Sequence, residues 1–138
     1  MRRAAAIATT GLASGAVMLA LDLTWLGVIA KGIYDSALAT LRRPDVLLPA
    51  AALFYAFYVS FVVGYAVVGA RSRADAARRG ALLGLATYGT YDLTNWAVIR
   101  DWSATLVPID MAWGVVLTAV VALVGRLVFE RLTPASPS

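Results

Sequence analysis

Four long apolar segments, separated by short stretches with charged residues or proline, dominate the hydrophobic and polar pattern of the chain. They cover residues 4–30, 47–70, 80–99 and 106–129. A helix needs roughly 20 residues to cross a hydrocarbon core of about 30 Å. The backbone groups of such a segment must be paired within it, and these segments lack the alternating polarity of barrel strands. Each segment is therefore predicted to form a transmembrane helix.

The predicted fold is all-α, a bundle of four transmembrane helices. We expect one integral membrane domain over residues 1–132 and a flexible tail over residues 133–138. The first segment follows two arginines, as the apolar core of a secretory signal does. It is longer than such a core and contains Asp22, so it is interpreted as a retained helix.

Composition agrees with this prediction. Apolar residues make up 61% of the chain and charged residues 14%, whereas soluble domains have roughly 45–50% and about 25%. Too few charges are present to cover a water-soluble core. Cysteine and histidine are both absent, which removes the usual ligands of zinc, haem and iron-sulfur clusters and every Ser-His or Cys-His nucleophile. No metal and no cofactor are predicted.

The net charge of +4 is interpreted as a sign of topology and not of nucleic-acid binding, because the basic residues lie in short clusters between the apolar segments. One side of the predicted bundle carries eight of the 12 Lys and Arg residues: Arg2, Arg3, Arg71, Arg73, Arg78, Arg79, Arg126 and Arg131. The positive-inside rule then places both termini in the cytoplasm.

Three of the eight acidic residues fall inside apolar segments, namely Asp22, Asp92 and Asp110. An aspartate near the centre of a membrane helix costs roughly 2.5–3.5 kcal/mol on insertion scales, so each needs a partner or water. From their positions along the helices, all three are expected in the outer half of the membrane. The sequence thus predicts a shared polar pocket in the bundle interior, with protonated aspartate as its resting state.

Helical spacing adds polar neighbours to this pocket. Tyr88, Asp92 and Asn95 stand at i, i+4 and i+7 on one face of the third helix, and Tyr58 and Tyr65 share a face of the second. The candidate ligand-binding residues are Asp22, Trp25, Tyr58, Tyr88, Tyr91, Asp92, Asn95, Asp110 and Trp113. Lys31 and Tyr34 are candidates for the outer interface, on a connection over residues 31–46 that is apolar at helical spacing.

Simpler interpretations remain open at this point. Asp110 follows Pro108 closely and could stabilise the positive end of the fourth helix. Asp22 could be solvated at the interface, and Trp25, Trp96 and Trp113 could form an aromatic belt. Asp92 and Asn95 could serve only as hydrogen-bonded glue between helices. The motifs Gly11-x-x-x-Gly15 and Gly80-x-x-x-Gly84 fit close helix packing, within one chain or between two.

Several motifs together resemble a family of small bacterial membrane proteins known as domain of unknown function 2177. They are Leu21-Asp22-Leu23-Thr24-Trp25-Leu26-Gly27, Lys31-Gly32-Ile33-Tyr34, Tyr88-Gly89-Thr90-Tyr91-Asp92-Leu93-Thr94-Asn95 and Asp110-Met111-Ala112-Trp113-Gly114. The resemblance spans nearly the whole chain. It implies four helices in the bacterial inner (cytoplasmic) membrane and marks these positions as motif residues. It implies no activity.

Three functions are compatible with the sequence. The first is binding or proton-linked transport of a small amphiphilic or cationic ligand, in which Asp92 changes protonation and a transport path would require a homodimer. The second is a metal-independent acid/base enzyme acting on a lipid or isoprenoid. The third is a structural or accessory membrane subunit. The lipid bilayer is the one partner common to all three.

Overall fold

The computed structural model describes residues 3–134. It contains helices and no strand within that range, in the order α1 (Arg3–Thr24), π1 (Trp25–Ile29), α2 (Lys31–Ala37), α3 (Leu48–Phe61), π2 (Val62–Val68), α4 (Arg73–Val98) and α5 (Leu106–Leu132). The all-α prediction is confirmed. Most of the predicted tail, residues 135–138, lies outside the described residues, as does Arg2.

Three of the helical stretches are long and apolar enough to cross a membrane: Arg3–Ile29, Leu48–Val68 and Leu106–Leu132. They match three of the predicted segments closely. The helix α4 is long enough as well, but its polar residues lower its mean hydropathy below that of the other three. The chain is therefore a membrane protein with three clearly apolar helical stretches and one more polar long helix, α4.

The helix α4 begins seven residues before the predicted segment at residue 80. The hydroxyl of Ser72 accepts a hydrogen bond of 3.1 Å from the backbone N–H of Asp75 and so caps the helix. Asp75 also lies in the first turn, where a negative charge favours the helix dipole. This capping makes the charged stretch helical, although its charges had suggested a connecting loop.

Close packing of α4 against α5 is the main helix contact of the fold. A Cβ atom added at Gly84 would lie 2.1 Å from the backbone oxygen of Gly114, and one at Gly80 would lie 2.5 Å from that of Thr118. Residue numbers rise along one helix as they fall along the other, so the pair is antiparallel. The prediction of close packing is confirmed for Gly80 and Gly84. At Gly11, by contrast, an added Cβ would meet no atom of the described chain within 4 Å.

The centre of the bundle is apolar. Fully buried Met18, Val62, Leu117 and Val121 join α1, π2 and α5 in one core. Buried apolar surface of this kind, together with the glycine contacts, holds the helices at fixed distances. The polar residues described below are thus positioned by a packed scaffold.

The π-helical segment π2 changes which residues of the second span face inward. Tyr58 is buried, but Tyr65 is 47% exposed, so the predicted common face for these two tyrosines is wrong. A π-helix closes each backbone hydrogen bond over one more residue than an α-helix does. Residues seven positions apart, such as Tyr58 and Tyr65, therefore no longer lie on the same face. The guanidinium groups of Arg79 and Arg126 donate to the backbone oxygens of Tyr65 and Val67, at 3.2 Å in both cases.

The end of the bundle that carries Asp22, Asp92 and Asp110 is more open than the end where π2 packs against α4. The helix α4 packs along π2, yet its backbone does not approach α3 closely. The short helix α2 folds back over this end of the bundle and contacts α5. Only Lys31–Ala37 of the connection 31–46 forms an α-helix. A gap between α3 and α4 therefore opens beside the intramembrane aspartates.

Candidate functional site

Asp22, near the end of α1, is 6% exposed and fully engaged with its neighbours. The hydroxyl of Tyr55 on α3 donates to Oδ2 at 2.8 Å, and the indole N–H of Trp113 on α5 donates to Oδ1 at 3.1 Å. Two donors from two different helices satisfy both oxygens of the carboxylate. Asp22 is thus buried in the bundle and not solvated at the interface.

A second chain of contacts leads from the same tryptophan to Asp110. The ring of Trp113 stacks on Trp25 with centroids 4.5 Å apart and planes 4° from parallel. The indole N–H of Trp25 donates to the hydroxyl of Tyr34 at 3.2 Å, and that hydroxyl donates to Oδ1 of Asp110. Aromatic stacking and hydrogen bonds therefore link two of the three aspartates.

Asp110 is 8% exposed and lies in the second turn of α5. The side chain of the N-cap residue Thr105 makes no capping bond, and the N–H of Leu106 donates to the hydroxyl and the backbone oxygen of Ser103. Asp110 accepts a hydrogen bond from Tyr34 and lies beyond the first turn of α5. Its position therefore argues against a role limited to stabilising the positive end of this helix.

Asp92 differs from the other two aspartates. It is 0% exposed, and neither of its carboxylate oxygens has a hydrogen-bond partner among the described residues. Asp110 and Trp102 lie within interaction range of it, but neither forms a bond of normal geometry, and the indole N–H of Trp102 is also without a partner. An unpaired buried carboxyl group carries the full cost of leaving water.

The three aspartates converge on one region. Asp22 and Asp110 lie within range of each other's charge, as do Asp92 and Asp110. The ring of Tyr88 lies within range of the charges of Asp22 and Asp110, and it packs so tightly on α5 that a Cβ at Gly114 would come 2.2 Å from it. No group of three or more acidic side chains within residues 3–134 is arranged to hold a metal ion.

A cavity of about 480 Å³ lies beside this cluster, in the gap between α3 and α4. Its walls are mainly aromatic, and Asp110 is the single charged residue in its lining: Phe54, Phe57, Tyr58, Thr87, Tyr88, Tyr91 and Asp110. Because Phe57 and Tyr91 are largely exposed, the cavity opens sideways. A cavity of this size and polarity is typical of small-molecule sites.

The remaining candidates lie at the edges of this region. The hydroxyl of Tyr58 forms a 2.8 Å hydrogen bond with Thr118. The ring of Tyr91 meets Trp102 edge-on at 5.6 Å, and Asn95 is partly buried one turn beyond Tyr91. Trp96 is 52% exposed, as a member of an aromatic belt would be.

The two residues predicted at the outer interface, Lys31 and Tyr34, have different surroundings in the structure. Lys31 is exposed and pairs with Asp35, which also pairs with Arg42. The Lys31 ammonium group, followed by the charge of Arg42, lowers the pKa of Asp35. Tyr34, by contrast, points into the bundle and binds Asp110. It is buried and therefore belongs to the cluster.

Sequence reasoning missed Tyr55, Trp102 and Thr118. Tyr55 precedes Tyr58 by three residues, a spacing that indicates a shared helix face. Trp102 lies in the connection between α4 and α5, where no periodicity gives a signal. Thr118 lies two turns beyond Asp110 on α5. A single hydroxyl within an apolar segment gives no clear sequence signal.

Comparison with protein families adds one finding. A comparison with curated proteins and a comparison with solved structures each find no match to the chain. A family model described as "Predicted membrane protein (DUF2177)" matches residues 7–127. That range includes every aspartate, tyrosine and tryptophan of the cluster. The chain therefore belongs to the family of predicted membrane proteins DUF2177.

Proposed function

We propose that the chain binds a small amphiphilic or cationic ligand in the cavity beside Asp110, and that Asp92 changes its protonation state when the ligand binds or leaves. The observation that carries this proposal is the carboxyl group of Asp92, fully buried with both oxygens unpartnered. A group in that state needs a proton when the site is empty. An incoming cation or donor can then replace that proton.

The charge of the surroundings supports the same conclusion. None of the ion pairs in residues 3–134 involves Asp22, Asp92 or Asp110. The carboxylates therefore have no basic side chain to neutralise them, and a ligand that brings positive charge is complementary to the site. Aromatic walls add favourable contact with a cation.

Proton-linked transport extends this proposal. A ligand that exchanges for a proton at Asp92 could be carried across the membrane, and we expect a homodimer in that case because four helices form a thin bundle. At Gly11, where an added Cβ would meet no described atom within 4 Å, the first helix has room for such a contact.

We also propose four crossings with both termini in the cytoplasm of a bacterial inner membrane, within one domain over residues 1–132. Gly80, Gly84 and Tyr88 of α4 lie in turn against α5 from Ala122 to Gly114. A helix that runs alongside a span over that length crosses the membrane with it. The polar residues of α4 face the bundle interior at Asp92, which offsets its lower hydropathy.

Binding of butylammonium and dodecylammonium to protein in phosphatidylcholine vesicles tests the proposal. Both probes keep their charge between pH 5 and pH 8, because an alkylammonium resembles the lysine side chain with a pKa of about 10.4. We expect at least one of them to bind with release of a proton, and its affinity to rise with pH until Asp92 is ionised in the free protein.

Two variants complete this test. Asp92→Asn should remove the pH dependence of binding, whereas Asp101→Asn, an exposed aspartate in the loop after α4, should leave it unchanged. Equal binding of the probes by wild type and Asp92→Asn at every pH would reject the proton-linked function.

An acid/base enzyme acting on a lipid or isoprenoid is the second candidate. It is favoured by the hydrogen bond from Tyr34 to Asp110 at the edge of the cavity, because a tyrosine and two carboxyl groups there include both a proton donor and an acceptor. Lipid extracts from cells with and without the protein test it. An unchanged lipid profile in all growth conditions would count against catalysis.

A further inference from the structure

We infer that the ligand is a single-chain lipophilic amine that enters sideways from the outer membrane leaflet, between α3 and α4. This inference rests on the proposed binding function and specifies its ligand. The apolar chain lies against Phe54 and Phe57, and the ammonium group reaches Asp110, which lies within interaction range of Asp92.

The shape of the gap indicates the direction of entry. The backbones of α3 and α4 separate in the outer half of the bundle, whereas α4 packs against π2 below. The ring of Tyr58 meets Tyr88 at 6.4 Å and closes the lower end of the gap. Phe57, 67% exposed, stands at the mouth. A molecule already dissolved in the leaflet thus reaches the cavity without passing through water.

The lining indicates the form of the ligand. Aromatic rings form most of the lining of the cavity of about 480 Å³, and the lining contains a single carboxyl group, that of Asp110. A volume near the lower end of the usual 300–1,000 Å³ for ligand pockets fits one hydrocarbon chain better than a two-chain lipid. The ligand is therefore apolar along its length and polar at one end only.

The polar end must supply hydrogen-bond donors. Ionised carboxylates accept hydrogen bonds and donate none. Asp92 has two empty acceptor positions, and Asp110 already accepts one bond from Tyr34. An ammonium group offers three donors and a positive charge. A phosphate or carboxylate headgroup brings negative charge instead and would be repelled once Asp92 has released its proton.

Photolabelling of the full chain in phosphatidylcholine vesicles tests this inference. Three dodecyl probes carry the same diazirine on the chain and differ only at the head: ammonium, alcohol or carboxylate. Mass spectrometry then locates the labelled residues. We expect the ammonium probe to label the α3 and α4 residues that line the cavity, and the carboxylate probe to label them about tenfold less, equivalent to 1.4 kcal/mol.

Matched variants distinguish labelling within the cavity from labelling on the general lipid-facing surface. Phe57→Trp should fill the mouth and reduce cavity labelling by the ammonium probe severalfold. Phe61→Trp, one turn further along and also exposed but outside the lining, should leave it unchanged. Asp110→Asn should reduce ammonium labelling about tenfold and leave alcohol labelling as it was.

Three results would overturn the inference. Equal cavity labelling by all three probes would show that the head is not recognised. Proton-linked binding of butylammonium without cavity labelling by the dodecyl probe would reject the lipophilic amine and leave the proposed function intact. Absence of binding by butylammonium and dodecylammonium alike would reject both proposals.

Discussion

The indole rings of Trp25 and Trp113 stack in parallel 4.5 Å apart, and each donates its N–H into a different part of the aspartate cluster. Trp113 binds Asp22 directly, and Trp25 reaches Asp110 through Tyr34. This stacked pair joins α5 to the end of the first span. It makes the position of one aspartate depend on that of the other.

Replacing Trp113 with phenylalanine should destabilise the protein. Phenylalanine keeps an aromatic ring beside Trp25 but removes the donor to Asp22, which leaves a buried acceptor unpaired at a cost of about 1–3 kcal/mol. The free energy of unfolding, measured by SDS titration in mixed micelles, checks this. Trp96→Phe is the control because Trp96 is exposed. Equal effects of the two changes would contradict the contact.

Asp22→Asn should lower the stability of the protein, whereas Asp92→Asn should not. Asn at position 22 turns one acceptor into a donor facing Tyr55 or Trp113, and should cost about 1–3 kcal/mol. Asn at position 92 breaks no hydrogen bond and can donate to Asp110, so the unfolding free energy should stay equal or rise by up to about 2 kcal/mol. A large loss for Asp92→Asn would indicate that Asp92 only holds helices together.

Gly84→Ala should weaken the contact between α4 and α5. The added Cβ would approach the backbone of Gly114 to 2.1 Å, so the helices must move apart, at a cost of about 1–3 kcal/mol for overpacking. Gly11→Ala places the same methyl group where no described atom lies within 4 Å. Thermal unfolding in detergent should therefore distinguish them, and similar melting temperatures would contradict the packing.

Acid should remove the stabilising contribution of Asp75, which lies in the first turn of α4 outside the hydrocarbon region. The backbone N–H of Arg71 and the guanidinium groups of Arg78 and Arg79 lower its pKa from 3.8 to about 2. A lowered folded pKa stabilises the fold above pH 4, and this contribution is lost as the pH falls towards 2. Asp75→Asn should thus be less stable than wild type at pH 7, and the difference should vanish near pH 2. Asp101→Asn, the exposed control, should show no such convergence.

Cysteine labelling checks the topology, since the chain has no cysteine of its own. Ala39 and Ala74 are both exposed, the first after α2 and the second at the start of α4. In intact cells, a membrane-impermeant maleimide should label Ala39→Cys directly and Ala74→Cys only after the membrane is opened. The reverse pattern would invert the proposed orientation.

The sequence by itself determined the helical class, three apolar spans and their bounds to within a few residues. These follow from local properties: segment length and hydrophobicity fix where a helix can lie in lipid. It also singled out the three aspartates, because a charge inside an apolar segment is costly wherever its partners come from. The bounds of α4 were less accurate, since the cap at Ser72 made a charged stretch helical.

Only the tertiary structure decided how those aspartates differ. Asp22, Asp92 and Asp110 look alike in sequence, each with a tryptophan three or four residues later. Their surroundings come from distant parts of the chain: local spacing places Tyr55 on the same face as Tyr58, but it does not pair Tyr55 with Asp22. The π-helical turn of the second span likewise moved Tyr65 off the inner face, and the separation of α3 from α4 created the cavity. Contacts between residues far apart in the chain depend on packing, which no local pattern encodes.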